Sequence, residues 1–379
     1  MVGSFTPESS KHKNLLKVLE ILMSEELSRA DIADITGLTR TAVGNIIKRF
    51  INIGFVEEKD SKGSGVGRKR ILLDIVPSFM HVIGLGISRN RIEGCLTDTK
   101  GKLICNRTVQ LKRSEDVVRK IYDTINSLLN EAHKNSIEVK AIGVGVPGPL
   151  DIKRGIVIKP PKFPGFENVK LVELLEKKYG IDVWIENDAD MAAWGEKCYG
   201  EGRNLSDFIY IRTCEGIGAG IIIDNQLYHG KLGYSGEIGH LLVKNGEKFE
   251  YFENLYGKDK IIEKAREKFS IEEGLNYIED RVRKGDKEAI EFVKEISENL
   301  GALIISIVHV TGISDVFIGG DYQVFGDFLL NEVRDMIKRY EFSHQQVNVR
   351  FSQLGDLAMP LGAVAYAIGM YLKKLVLES

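Results

Sequence analysis

The chain has 379 residues, more than one hydrophobic core usually serves, so two or three domains are expected. Its 43% hydrophobic and 28% charged residues are ordinary for a globular protein, and neither a membrane-spanning run nor an N-terminal secretory signal is predicted, so we expect a cytoplasmic protein with no membrane partner. The net charge is −2, and the four cysteines form no C-x-x-C pair, which argues against a disulfide framework and a structural zinc site.

The first 73 residues are basic on balance, with 12 Lys and Arg against 9 Asp and Glu, which is typical of a small nucleic-acid-binding module. Helical apolar spacing predicts a helix from Lys13 to Met23; Ser28 and Asp31 form a capping box that opens a second helix, which Gly37 ends. A third helix follows, and together these features predict a helix-turn-helix. The residues expected on DNA are Thr39, Arg40, Thr41, Asn45 and Lys48.

Two short strands follow, at Phe55–Glu57 and Arg70–Leu73, and a glycine-rich basic segment joins them. Its cations Arg68, Lys69 and Arg70 are suited to phosphates or the minor groove. Residues 1–75 are therefore predicted to form a winged helix-turn-helix domain on double-stranded DNA. The alternative is a three-helix protein-interaction module whose basic loop is merely solvated.

The rest of the chain contains a duplicated pattern. The first copy has predicted strands at Val82–Ile87, Ile92–Asp98, Leu103–Val109 and Ala141–Val146. The second has predicted strands at Phe208–Arg212, Gly220–Ile223, Leu227–Tyr228 and Val316–Ile318. A repeated strand meander followed by helix and strand units indicates two similar lobes, as in the α/β actin-like, ribonuclease H-like sugar-kinase fold. We expect this domain at 76–379, with lobes of about 76–188 plus the C-terminal helix and about 189–355.

An acidic cluster stands where a predicted buried strand gives way to a helix, in Trp184-Ile-Glu-Asn-Asp-Ala189. Ligands of open α/β sheets bind at such junctions. The amide of Asn187 and the carboxylate of Asp188 can hold neighbouring hydroxyls of a polyol, and Asp188 can act as a general base. The alternative is that both residues only cap the helix.

Four segments resemble successive signatures of the ROK family, which groups repressors, open reading frames and sugar kinases. They are Gly145-Val-Pro-Gly-Pro149, Glu186-Asn-Asp-Ala189, Gly230 to His240 and Phe317-Ile-Gly-Gly320. The predicted winged helix resembles the repressor branch. The resemblance implies sugar-binding roles for Asn187, Asp188, Glu237, His240 and Glu253, with Asp188 matching the catalytic base of the kinases.

Two departures from the family pattern affect the nucleotide. Where family kinases have Asp-x-Gly-Gly-Thr-Lys, this chain has Gly86-Ile-Ser-Arg-Asn-Arg91, so magnesium would lack its carboxylate. The second phosphate loop reads Cys214-Glu215-Gly216, and its carboxylate would repel a triphosphate. The degenerate nucleotide-binding positions are Gly216, Gly218, Gly319 and Gly320, and the glycines at 216–220 are expected to lie between strands.

Two further departures affect the sugar region. The family's C-x-C-G-x-x-G-C zinc motif after the histidine is absent, so we expect no metal at His240. Lys162 stands where the family usually has a sugar-contacting Asn, and it either alters sugar preference or faces solvent.

The leading hypothesis is a sugar-responsive transcriptional repressor that has kept the sugar cleft and lost phosphoryl transfer. A sugar or short oligosaccharide is the expected effector, operator DNA the partner, and no cofactor is expected. The rival is an ATP- and magnesium-dependent sugar kinase with a DNA-binding appendage, and a third possibility is an architectural DNA-binding protein with an empty cleft. We expect a homodimer or higher homo-oligomer, for which Leu300–Val310 and Met359–Tyr371 are candidate surfaces where they are not core.

Overall fold

The computed structural model describes residues 14–15, 17–19, 21–23, 26–60, 71–112, 116–161, 163–269, 274–342 and 346–378. These residues form two units. The first unit comprises Met1–Met191 and Met359–Ser379, and the second comprises Ala192–Ala358.

In the N-terminal part of the first unit, the described residues form three helices and a strand pair. Helix α1 is described at 14–15, 17–19 and 21–23, and α2 (Arg29–Thr36) and α3 (Arg40–Asn52) follow. The predicted boundaries are confirmed, because Ser28 and Asp31 form the capping box, Gly37 ends α2 at φ 69°, and Thr39 accepts a hydrogen bond from the Ala42 amide. Strands β1 (Val56–Asp60) and β2 (Ile71–Ile75) pair antiparallel.

Two contacts attach this N-terminal part to the first large sheet. The Asp74 carboxylate, only 3% exposed, forms ion pairs with Lys59 of β1 and with Lys100, at 2.5 Å, in the turn after β4. In the same turn, the Thr99 hydroxyl lies 3.0 Å from the Pro77 carbonyl and 2.9 Å from the Met80 carbonyl. The chain between β2 and the sheet is therefore held at both ends by one turn.

The sheet of the first unit has the order β5-β4-β3-β6-β9. Its strands are β3 (His81–Ile87), β4 (Arg91–Asp98), β5 (Leu103–Gln110), β6 (Val139–Val146) and β9 (Asp182–Asn187). Strands β3, β4 and β5 form the antiparallel meander predicted from the sequence, and β6 and β9 add parallel to β3. Shorter elements of this unit are β7 (Leu150–Asp151), β8 (Ile156–Val157), α4 (Val117–Lys134) and α5 (Leu171–Tyr179).

Helix α12 (Ala358–Glu378) packs on this sheet through glycines. A Cβ at Gly84 would lie 2.0 Å from the Pro360 carbonyl oxygen, and one at Gly143 would lie 1.9 Å from that of Ala363. The helix is long and apolar enough to cross a membrane by length and composition alone, but most of it is buried inside the protein. Its apolar residues are therefore used as core.

The second unit repeats the sheet, with the order β12-β11-β10-β15-β16. Its strands are β10 (Phe208–Thr213), β11 (Ile217–Ile223), β12 (Gln226–Leu227), β15 (Asp315–Gly320) and β16 (Asn348–Phe351). The same antiparallel meander is followed by two parallel strands. Helix α6 (Asp188–Tyr199) starts in the first unit and continues into this one. Further elements are β13 (Leu242–Asn245), β14 (Lys248–Tyr251), α7 (Phe252–Tyr256), α8 (Lys258–Phe269), α9 (Leu275–Arg283), α10 (Lys287–Thr311) and α11 (Gly326–Tyr340).

One expectation is corrected in the second unit. Gly218 lies inside β11, paired with Arg212, and not between strands, while Gly220, paired with Tyr210, lies in this strand as predicted. The apolar side chains of Leu300–Val310 are core residues of α10, apart from exposed Val310, so this segment is a poor surface for self-association.

Candidate functional site

Helix α3 presents a polar face to solvent. Val43, Ile47 and Phe50 are buried against the rest of the N-terminal part, which leaves the opposite side of the helix free. The five residues predicted to contact DNA, Thr39, Arg40, Thr41, Asn45 and Lys48, are all exposed. Arg68, Lys69 and Arg70 lie outside the described residues, as does Lys162, so their predicted roles stay predictions.

The end of β9 and the start of α6 place Asn187 and Asp188 side by side. Asn187 Oδ1 accepts hydrogen bonds from the amides of Ala189 and Asp190, at 2.9 and 3.3 Å, and Asp188 Oδ1 accepts one from Ala189 at 2.9 Å. These are helix-capping contacts, so the capping interpretation of the pair describes real geometry. Capping also fixes the two side chains, which is what a preorganised binding site requires.

Three other groups surround this junction. Glu186 is buried, and its Oε1 accepts from the Asn187 amide at 2.8 Å. The Tyr366 hydroxyl of α12 hydrogen-bonds Glu186, and burial together with this carboxylate raises the pKa of Tyr366. At Gly148 a Cβ would lie 3.4 Å from Asn187 Nδ2, in ordinary van der Waals contact, so this glycine lies beside the amide. The sequence contained no signal for Tyr366, which is distant in the chain.

The second unit carries the other predicted sugar-binding residues on one stretch. His240 Nδ1 lies 3.0 Å from Glu237 Oε2, and both side chains are exposed. Glu253 lies in the first turn of α7 and approaches Gly239, where a Cβ would lie 3.1 Å from the Glu253 Oε2. The structure therefore brings Glu237, His240 and Glu253 into one short segment, with carboxylate and imidazole acceptors for hydroxyl groups.

The residues after His240 do not fit the family's zinc site. Strands β13 and β14 form a hairpin there, and its side chains are aliphatic, aromatic, amide or charged, with no thiolate from 241 to 252. His240 Nδ1 is moreover engaged by Glu237, and the His240 ring contacts the Tyr251 ring edge to face at 5.0 Å. Zinc sites of this class need cysteine ligands.

The turns expected to hold a nucleotide do not fit a magnesium triphosphate either. In the first unit, Arg91 forms an ion pair with buried Glu93 behind the Ser88–Arg91 turn. In the second, Glu215 is nearly buried, and its Oε1 finds no hydrogen-bond partner among the described residues. Lys258, whose amide donates to the Cys214 carbonyl, is paired with Asp321 at 3.0 Å. A buried carboxylate at this position repels phosphate oxygens.

Comparison with known proteins identifies this arrangement. A model of the ROK family matches residues 82–369. The chain belongs to the ROK family. This ROK chain is 28% identical over 383 positions to the xylose repressor of Caldicellulosiruptor bescii, covering 94% of the chain and 96% of that protein. It is 26% identical over 284 positions to the glucokinase of Thermotoga maritima, covering 69% of the chain and 88% of that protein.

Among solved structures, a ROK family transcriptional regulator described as a homolog of the E. coli MLC protein has a TM-score of 0.79 at 19% identity. It covers 96% of this ROK chain and 99% of its own, which shows the shared fold. The family model matches only from residue 82 onward, whereas the alignment with the xylose repressor covers 94% of the chain. The alignment with the xylose repressor therefore includes residues of the N-terminal helices. The family resemblance seen in the sequence is confirmed.

Proposed function

We propose that this ROK chain is a sugar-responsive transcriptional regulator of the repressor type, which binds operator DNA and releases it when a sugar binds. The observation that carries the proposal is the exposed polar face of α3, in the N-terminal helices and strand pair that precede the ROK region. The protein works in the cytoplasm, without a metal or nucleotide cofactor, as a homodimer or higher homo-oligomer.

The DNA-binding role rests on how α2 and α3 are joined. A short helix, a turn through Gly37 and a helix whose first residues are polar and exposed are the parts of a recognition element that enters the major groove. Arg40, Thr41 and Asn45 are assigned to base edges, and Lys48 to phosphate. One such helix covers few base pairs, so specificity requires two copies reading half-sites one or more helical turns apart.

The sugar-binding role is assigned to two groups of residues. In the first unit these are Asn187 and Asp188, held by the start of α6; in the second unit they are Glu237, His240 and Glu253. Their oxygens and ring nitrogens suit the hydroxyls of a sugar, and a site that expects a hydroxyl rejects analogues without it because a polar group is left unpaired. Lys162 is retained as a candidate contact on the basis of its sequence position.

Release of DNA requires that the sugar prefer one conformation of the protein over another. A ligand shifts such an equilibrium only by its differential affinity, and a coupling of about 1 to 3 kcal/mol loosens operator binding by roughly 5- to 150-fold. By linkage, operator DNA must lower sugar affinity by the same factor.

The test combines DNA selection with a sugar titration. Duplexes are selected from a random library with the full-length protein, and their affinity is measured by fluorescence anisotropy with and without a panel of pentoses and hexoses. We expect a preferred duplex and at least one sugar that weakens its binding. Lack of sequence preference would exclude the regulator, and a preferred duplex that no sugar releases would favour an architectural DNA-binding protein.

A second candidate is a ROK sugar kinase with a DNA-binding appendage. It is favoured by Asp188, which keeps the position of a general base at the start of α6, and by the glucokinase relative. Glu215 and the paired Lys258 oppose it. Incubation with ATP, magnesium and the same sugars separates the two, because turnover above background would establish the kinase.

A further inference from the structure

The hairpin that follows His240 has its two faces arranged in an unusual way. Register pairs Leu242 with Tyr251 and Lys244 with Phe249, so these four side chains share one face. Val243, on the other face, packs against the core of the second unit. The core side of the hairpin is therefore used for attachment, and the four-residue face points outward.

This outward face, which we call the hairpin face and define as Leu242, Lys244, Phe249 and Tyr251, is largely apolar. Leu242 is 64% exposed, Phe249 67% and Tyr251 45%. On a two-stranded hairpin the solvent side is normally polar, and apolar side chains grouped beside polar site residues mark a binding surface.

The hairpin face begins at the residues assigned to the sugar. The Tyr251 and His240 rings are in edge-to-face contact, with centroids 5.0 Å apart and planes at 84°. His240 in turn is hydrogen-bonded to Glu237 at 3.0 Å. A ligand held by Glu237 and His240 therefore meets the Tyr251 ring next, and Phe249 lies two residues of strand, or about 7 Å, further along.

We propose that the hairpin face is a second sugar subsite, so that the effector is an oligosaccharide of two or more rings. This inference rests on the proposed function. A pyranose ring has an apolar surface of C–H groups and a polar rim, and it matches a flat aromatic side chain bordered by hydrogen-bond donors. Tyr251 and Phe249 offer the aromatic surface, and the exposed ammonium of Lys244 offers donors at its border.

The size of the hairpin face argues against a protein partner. A stable protein interface uses about 20 to 30 residues on each side, whereas the hairpin face has four. A disaccharide is small enough to be bound by one polar cluster and one or two aromatic rings. A second copy of the chain remains an outcome that the experiment detects.

The experiment measures sugar affinity by isothermal titration calorimetry with the full-length protein. The probes are xylose with xylobiose and glucose with cellobiose, which differ by one ring. The variant is Phe249→Ser. The control is Phe342→Ser, another strongly exposed phenylalanine elsewhere in the second unit, 77% exposed against 67% for Phe249. Thermal melting without sugar verifies that both variants fold.

For at least one pair, we expect the disaccharide to bind about tenfold more tightly than the monosaccharide. Phe249→Ser should remove most of that advantage and leave the monosaccharide affinity unchanged, while Phe342→Ser should change neither. The subsite would be overturned if the monosaccharide and the disaccharide of each pair bound with equal affinity. It would also be overturned if Phe249→Ser weakened the binding of both sugars of a pair equally. Either result would leave the proposed function intact.

Two other results also decide the question. Binding of none of the four probes would overturn the subsite, and if the wider panel of pentoses and hexoses also failed to bind, the proposed function would fall with it. A shift toward monomer in Phe249→Ser, measured by sedimentation velocity, together with unchanged disaccharide binding, would assign the hairpin face to a second copy of the chain and overturn the inference.

Discussion

The two five-stranded sheets share one strand order but close their first hairpins with different chemistry. In the first unit the Ser88 amide donates to the Arg91 carbonyl, and the Arg91 side chain is paired with buried Glu93. In the second unit the Cys214 amide donates to the Gly216 carbonyl, and Glu215 is nearly buried beside it. The duplicated sheets tolerate such changes because apolar packing between strands and helices stabilises them, whereas the residues of the connecting turns can vary.

A further difference concerns the next turn of each sheet. In the first unit, the turn after β4 holds the N-terminal part through Thr99 and Lys100. In the second, the corresponding turn holds its own unit, since Asn225 Oδ1 accepts from Lys197 at 2.7 Å. The turn after the second strand of the meander thus attaches the N-terminal part in the first unit, and it stabilises its own unit in the second.

The largest expected effect comes from adding a methyl group at glycines of the equivalent strands β6 and β15. Gly143→Ala should cost about 3 kcal/mol of unfolding free energy, because the new Cβ meets the backbone of α12, which cannot yield locally. Gly319→Ala should cost about 1 kcal/mol, since the nearest atoms to its Cβ belong to the Tyr210 side chain, its hydroxyl and ring edge, rather than to backbone. Urea unfolding measures both, with Gly44→Ala, which meets no neighbour, as control. Equal losses at Gly143 and Gly319 would contradict the difference between the units.

The next effect compares the sugar-binding groups of the two units. Asp188→Ala should weaken sugar binding by about 2 kcal/mol and Glu237→Ala by about 1, because Asp188 is half-buried and fixed by the α6 cap while Glu237 is exposed. Calorimetry with the sugar found in the screen measures both. Both variants should bind operator DNA without sugar as tightly as the wild type. If both variants also bound the sugar as tightly as the wild type, the site assignment would be refuted.

A third prediction concerns the module that only the first unit carries. Asn45→Ala should cost about 1 to 2 kcal/mol on the preferred duplex and little on random DNA, since a base contact is lost. Arg68→Ala should weaken binding to all sequences and reduce the salt slope by about one unit. Anisotropy titrations at several salt concentrations distinguish them. If both variants lost equal affinity for the preferred duplex and for random DNA, the assignment of Asn45 to bases and of Arg68 to phosphates would be wrong.

The smallest effect is the pH dependence of the attachment. Burial alone would raise the pKa of Asp74, but hydrogen bonds from Lys100 and Lys59 outweigh it and hold the pKa below its ordinary value of 3.8. A carboxyl group with a depressed pKa contributes stability that is present at pH above its unfolded pKa and is lost as the pH falls through its folded pKa.

Asp74→Asn should therefore lower stability by about 1 kcal/mol at neutral pH and make it depend less steeply on pH below about 4. Thermal melting between pH 7 and pH 3 tests this, with Lys100→Met expected to show part of the effect. An unchanged pH profile in Asp74→Asn would mean that the ion pairs contribute nothing to the attachment.

How much the sequence predicts depends on the range of the interaction. Helix caps and strand periods are set by residues within a few positions, so the capping box at Ser28, the end of α2 at Gly37 and the strand order of both meanders follow from local patterns. The sequence left Leu300–Val310 open between core and self-association surface, because an apolar helix looks the same in sequence whether it covers a core or a partner, and the structure places most of its apolar side chains in the core.

By itself, the sequence determined the N-terminal helices, the strands of both meanders, the duplication, the family and the identity of the polar groups at Asn187, Asp188, Glu237 and His240. Only the tertiary structure showed that Gly84 and Gly143 admit α12, that Tyr366 bonds Glu186, that Asp74 meets Lys100, and that the hairpin face points outward. These contacts join residues far apart in the chain. Their existence depends on how whole elements pack, and no local pattern of residue types encodes that packing.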